Sequence, residues 1–426
     1  MTRPLASLAL AALALPAVLA AQGTPSAAGP DSAARWAVAD ALADSAPAGI
    51  ERSVASLAAY LARAGGDDST RARALYRWVA GHIGYDVEGF RNGRPGDPSA
   101  DSVLVRRTSV CQGFATLAEA LGAAMGLEIH VVSGWSKGYG YTAGQTFAGP
   151  PNHAWDAVRV AGAWRLMDPT WGAGYLDESL QFVRRFQDHY FLTDPAEFVF
   201  DHLPEDPRWQ LLDRPVTAAE YADLVYLRPM FFQAGLRIGS RAHLVLAANG
   251  PLAVTLGVTR PVEMTAQLID AASQRPLDGR FAFVQSGTAG ALIAARFPRP
   301  GDYLLRVFAK PLGAAGSLEW ILDYRVHATG APGVVFPMAF EAFATRSVRL
   351  LSPLDGELRR EQRYRFTLRA PGALEVAVVS GGRWTRLPRS GDDFDGEVTA
   401  MPGTVSVYAK YDVRGEYEGL LRYEGR

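Results

Sequence analysis

Apolar residues recur at intervals of three and four between about positions 36 and 83: Val54, Leu57 and Leu61, then Ala72, Leu75, Trp78, Val79 and Ile83. This spacing predicts amphipathic helices, and Asp68-Ser69-Thr70 offers an N-cap for the second run. Residues 89–98 are rich in glycine and proline and read as a loop. Leu117, Leu121 and Met125, interleaved with alanines, then mark a buried helix that stops near Gly126. Beyond it the period falls to two. Residues 127–135 predict a strand and 138–151 a loop of glycines and aromatics. Residues 153–160 and 163–168 predict two strands joined by Ala161-Gly162 as a hairpin turn. Helices followed by antiparallel strands predict an α+β core.

Past about position 215 the pattern is of another kind. Short alternating runs at 243–248, 252–258, 303–308, 364–368 and 374–379, punctuated by glycine and proline, have the spacing of β-sandwich modules. A weak internal repeat supports two of them. Pro300-Gly301-Asp302-Tyr303, Val307-Phe308-Ala309-Lys310 and Tyr324 match Pro402-Gly403-Thr404-Val405, Val407-Tyr408-Ala409-Lys410 and Tyr423. The chain divides into a leader (1–21), a small-residue spacer (22–34), the α+β core (35–215) and two Ig-like β-sandwich modules (216–331 and 332–426). The modules hold no cysteine and only His243 and His327, so they are expected to position or recognise a substrate without taking part in bond breaking.

Composition narrows function more than fold. Of 426 residues 48% are hydrophobic and 20% charged, with a net charge of −1, so no nucleic-acid partner or anionic membrane surface is expected. Seven histidines are scattered without the paired spacing of a metal site, and neither metal nor cofactor is expected. Arg3, an apolar run from 5 to 19 and the small residues Val18 and Ala20 form the pattern of a cleavable secretory signal. The run is too short to span a bilayer. The reading is a secreted or periplasmic protein that is not membrane-spanning. In such a protein cysteines ordinarily serve disulfides, and the single Cys111 cannot bridge within its own chain. That leaves an inert core residue or a nucleophile.

Cys111 sits at the start of a helical stretch, in Ser109-Val110-Cys111-Gln112-Gly113-Phe114. A thiol nucleophile needs a base and a third group to orient that base. The hairpin can supply both. With Ala161-Gly162 as the turn, Val160 pairs with Ala163, Trp155 faces Asp168 and His153 faces Thr170. His153 and Asp168 then project from one face as diagonal neighbours, roughly 7 Å apart between backbones. The positive end of the helix and a nearby imidazolium would lower the thiol pKa. Each residue alone has a plainer reading: a buried hydrophobe, a structural histidine, a turn aspartate.

Cys111-Gln112-Gly113-Phe114, Asn152-His153-Ala154-Trp155 and Trp164-Arg165-Leu166-Met167-Asp168-Pro169-Thr170-Trp171-Gly172 together resemble the core motifs of the transglutaminase-like superfamily of papain-like folds. Val132-Ser133-Gly134, Tyr190-Phe191-Leu192-Thr193-Asp194-Pro195 and His202-Leu203-Pro204 are similar to its kyphoscoliosis-peptidase-like branch. The resemblance implies a papain/transglutaminase-like catalytic core and a Cys111-His153-Asp168 triad. In that triad the thiol attacks a carboxamide or peptide carbonyl, His153 acts as base and then acid, and Asp168 fixes the imidazole tautomer. The Cys111 backbone N–H is the first oxyanion donor and Tyr85 a candidate for the second, with Gln112, Trp155 and Trp171 in the substrate cleft. Asp156 departs from the branch, which commonly has asparagine there. It lies on the strand face opposite His153.

The leading expectation is an exported cysteine peptidase or amidase using this triad on peptide or glutamine amide bonds, favoured over a protein cross-linking transglutaminase. Its partners would be a protein or peptide substrate, with a cell-wall or envelope polymer as a further one. The rival is a non-catalytic adhesion or scaffolding protein that binds protein or cell-wall polymer through the same core and modules.

Overall fold

A computed structural model of the chain describes residues 32–177, 179–239, 242–287 and 290–426. The run read as a secretory signal lies outside the described residues. The first layer is helical: α1 (Ser32–Asp44), α2 (Val54–Leu61) and α3 (Asp68–His82). Leu57, Leu61, Leu75, Trp78 and Val79, the residues spaced at three and four, are all buried in one core. The cap of α3 is Asp67, one residue earlier than expected, because its carboxylate reaches the Thr70 N–H.

The segment expected as a loop holds a short helix, α4 (Val87–Arg91), and a second, α5 (Ala100–Arg106), follows it. Between α3 and α4, β1 (Gly84–Tyr85) runs parallel to β2 (Thr108–Ser109), which sets Tyr85 opposite Ser109. The chain then enters α6 (Cys111–Ala124) at Cys111. Gly113 lets this helix approach its neighbours. A Cβ there would lie 2.1 Å from Ser109 Oγ and 2.7 Å from Val103 Cγ2.

An antiparallel sheet packs on α6. Its strands are β3 (Ile129–Ser136), β4 (His153–Val160) and β5 (Ala163–Met167); after α7 (Pro169–Ala173) and the small hairpin of β6 (Gly174–Leu176) and β7 (Phe182–Arg184), the chain adds β8 (Phe191–Thr193) and β9 (His202–Pro204). The spatial order is β8-β5-β4-β3-β9. Val160 pairs with Ala163 and Asp156 with Met167, the expected register. Ala161 (φ 49°) and Gly162 (φ 78°) are both left-handed, as a two-residue type I′ turn requires.

Two β-sandwiches follow this transglutaminase-like α+β core. The first pairs a five-stranded sheet, built around Gly301–Pro311 and Glu319–Ala328, with a four-stranded one. The second pairs a six-stranded sheet, built around Gly403–Lys410 and Glu418–Gly425, with another four-stranded one. The repeat read from sequence falls on equivalent strands, down to register shifts between Val307 and Phe308 and between Val407 and Tyr408. Tyr324 and Tyr423 occupy matching core positions.

The modules are not held at arm's length. Lys137, at the end of β3, is completely buried, with its ammonium 4.5 Å from the Tyr221 ring and donating to the Leu224 carbonyl at 2.7 Å. Phe147 packs on Tyr221, and His189 stacks on Phe232. Among the described residues, no helix is long and apolar enough to cross a membrane.

Candidate active site

Cys111 is the first residue of α6, preceded by Val110 as N-cap, so its backbone N–H belongs to the turn that lacks an intrahelical partner. β4 brings His153 beside the thiol, close enough that each group shifts the other's pKa. His153 Nε2 donates to Asp168 Oδ2 at 2.8 Å, which leaves Nδ1 for the sulfur. Asp168 follows β5 directly and caps α7: its Oδ1 accepts from the backbone N–H groups of Thr170 (2.8 Å) and Trp171 (3.1 Å). The structure thus brings Cys111, His153 and Asp168 into one cluster.

Burial and charge compete within that cluster. Burial pushes the Cys111 thiol up, but the charge and hydrogen bond of His153, with the Ala154 N–H, outweigh it and hold the thiol below its ordinary value. Burial alone would lower the His153 imidazole. The negative charges of Asp168 and Cys111 win instead and raise it to about 10. Burial would also raise Asp168, but His153 and hydrogen bonds from two histidines hold it well below the usual carboxylate range. The arrangement favours a thiolate beside an imidazolium.

Asp156 is completely buried on the opposite face of β4, and neither carboxylate oxygen has a hydrogen-bond partner. Burial, reinforced by Asp168 and Glu119, raises its carboxyl well above the ordinary range. The neutral form, which burial favours here, has nearly the shape of asparagine.

The remaining residues of the expected site divide. Tyr85 lies near the thiol: burial first, then the charge of Cys111, pushes its hydroxyl pKa up, so it remains a donor at neutral pH. Trp171 is half-buried, its ring 5.4 Å from that of His153, as a cleft wall would be. Gln112 is exposed and turned along α6, its amide 3.3 Å from Thr116 Oγ1. Trp155 is 0% exposed and packs between His153 and His202. The expectation that Trp155 lines the cleft is therefore corrected: its position in the unbroken buried run His153–Val158 of β4 makes it core.

The sequence carries the His202-Leu203-Pro204 motif but no sign of a role for His202 at the site. Through β9, His202 reaches Asp168 Oδ2 with its Nε2 at 3.2 Å. One ring nitrogen each of His153 and His202 and a carboxylate oxygen of Asp168 lie within 4.8 Å of one another, a spacing that a cation would also accept. Hydrogen bonds from both imidazoles to one carboxylate account for it. Two concavities, of about 660 Å³ beside Phe340 and Tyr408 and about 480 Å³ beside Trp164 and Trp209, lie elsewhere and contain none of these groups.

Comparison with known proteins defines the class first. Residues 42–169 match the transglutaminase-like superfamily and residues 218–339 the KY-like immunoglobulin-like domain, so the chain joins a transglutaminase-like core to a KY-like Ig-like module. Among particular proteins, it is similar to kyphoscoliosis peptidase of Mus musculus, 31% identical over 260 residues that make up 60% of this chain and 38% of the relative. Hillarin of Drosophila melanogaster is 30% identical over 276 residues, 57% of this chain and 32% of the relative. The Lim and transglutaminase domain protein ltd-1 of Caenorhabditis elegans is 30% identical over 183 residues, 39% and 24% respectively. The chain therefore spans less than two fifths of the length of these relatives. They also overturn one expectation. Kyphoscoliosis peptidase, hillarin and ltd-1 are intracellular eukaryotic proteins, so the assignment to a secreted or periplasmic compartment is withdrawn. With it goes the argument from disulfide usage, and the case for Cys111 rests on geometry.

Proposed function

We propose that the chain is a thiol-dependent acyl-transfer enzyme acting on peptide or glutamine amide bonds, with hydrolysis favoured over protein cross-linking. The observation that carries this reading is the buried His153–Asp168 hydrogen bond of 2.8 Å set beside Cys111 at the start of a 14-residue helix. Cys111 Sγ attacks the carbonyl carbon, and its proton resides on His153 Nδ1. The oxyanion faces the Cys111 N–H, with the Tyr85 hydroxyl as second donor. His153 then protonates the leaving amine as the C–N bond breaks, which leaves a thioester. Water attacks the thioester, gives its proton to His153 and releases the acid and the thiol. Asp168 stays ionised throughout. Hydrolysis is favoured because water needs no site, whereas an acceptor amine must be bound to compete.

The test offers the purified chain an activated ester and glutamine-containing peptides, with and without a primary amine, and follows intact mass. The expected result is an acyl adduct on Cys111 that decays to acid in water and is absent in Cys111→Ala. Product release that does not depend on Cys111, or no adduct with any of these substrates, would favour the binding or scaffolding reading.

A further inference from the structure

Asp168 Oδ2 serves two imidazoles, Nε2 of His153 at 2.8 Å and Nε2 of His202 at 3.2 Å. A carboxylate only accepts, so both nitrogens present a hydrogen to it. With Oδ1 committed to the Thr170 and Trp171 N–H groups, Asp168 cannot turn away from His153 without also breaking its bond to His202. His202 is itself firmly held. Its Nδ1 lies 2.6 Å from Asp201 Oδ1, and Asp201 Oδ2 accepts from the Tyr190 hydroxyl at 2.9 Å. Its ring stacks on Phe198 at 4.0 Å and meets Trp171 at 4.5 Å. His202 is 1% exposed, so solvent does not compete for these bonds.

We propose that His202 is a positioning residue: it locks the Asp168 carboxylate so that His153 keeps its hydrogen on Nε2 and offers Nδ1 to the thiol. The inference rests on the thiol-enzyme reading above. The titratable and charged groups around this centre are Cys111, His153 and Asp156 from α6 and β4, Tyr76 and Tyr85 from α3 and β1, Asp168 and Tyr190 from the ends of β5 and β8, and Lys137, His189 and Asp201 from the flanking segments.

The experiment measures iodoacetamide alkylation of Cys111 across pH in the full chain for wild type, His202→Phe and His202→Gln. Phenylalanine keeps the ring that stacks on Phe198 but lacks the donor. Glutamine carries an amide N–H to about the place of Nε2. The expected result is an acid limb displaced upward by about one pH unit or more in His202→Phe and largely restored in His202→Gln, a rescue that loss of packing alone would not produce. An unmoved limb in a folded His202→Phe overturns the inference. Should that variant not fold, nitrogen-15 spectra of histidine-labelled wild type decide the matter: a protonated His202 Nε2 is expected, and an unprotonated one overturns it. A wild type without fast alkylation near pH 6 defeats the thiol-enzyme reading itself, and this inference with it. A wild-type plateau that survives in His202→Phe defeats this inference alone.

Discussion

Replacing Asp168 with asparagine changes one atom's role while leaving the fold its cap. The amide oxygen can still accept from the Thr170 and Trp171 N–H groups at the start of α7. The amide nitrogen then takes the place of Oδ2 and meets His153 Nε2 as donor against donor. His153 must shift its hydrogen to Nδ1, which faces the thiol and can no longer accept its proton. The charge is lost as well. Burial lowers the His153 imidazole, and it is chiefly Asp168, with Cys111, that lifts it above its ordinary value; without that carboxylate the imidazolium loses its main counter-charge, at roughly 1.4 kcal/mol for each pH unit of lost shift. A fall in kcat/KM of about 10³- to 10⁴-fold is therefore expected for ester or amide turnover, with a parallel loss of Cys111 alkylation near pH 6. Circular dichroism should show an intact fold. A folded Asp168→Asn protein within about tenfold of wild type in both assays would refute the reasoning.

Three further outcomes follow from the structure. Burial lowers the Lys137 ammonium to about 7 despite Asp201 and Asp223, whereas the unfolded chain keeps that proton to about 10.5; the stability of wild type relative to Lys137→Met should thus rise by a few kcal/mol between pH 7 and 10. Urea denaturation giving the same difference at pH 6.5 and 9.5 would contradict this. Gly134→Ala would set a Cβ 2.2 Å from the Leu203 carbonyl oxygen and 2.5 Å from Trp155, pushing β9 and His202 outward; a loss of about 3 kcal/mol in urea unfolding and reduced turnover are expected. A chain ending at Pro215 would strip Tyr221, Leu224 and Phe232 from Lys137, Phe147 and His189. It should melt well below the full chain in calorimetry; if the modules take no part in bond breaking, a truncated chain that still folds keeps its reactive thiol, and loss of that reactivity in a folded truncated chain would contradict the expectation.

What could be read in the sequence was what short-range rules control. The hairpin register follows from a two-residue turn with Gly162, and it alone puts His153 and Asp168 on one face. The helix start at Cys111 and the repeated strands past position 215 are likewise local patterns. The role of His202 is not legible in the sequence because β9 joins the sheet beside β3, a pairing between residues 134–136 and 202–204 that no local period announces. Lys137 was passed over for a related reason: lysine is ordinarily solvated, and only the approach of Tyr221 and Leu224 from the next module buries it. Trp155 looked like a cleft residue by its place beside His153, yet the layers that cover β4 decide its exposure. The compartment was misread because a short apolar leader-like run carries little information about the folded chain.

The central claim is that Cys111 is held as a nucleophile by His153, and it is tested most directly by the pH dependence of its alkylation in the purified full chain. Fast, stoichiometric modification of Cys111 near pH 6, well below the ordinary thiol range of about 8.5, is expected, with a marked slowing in His153→Ala. A Cys111 that reacts only after denaturation, or at the same rate with and without His153, would contradict it.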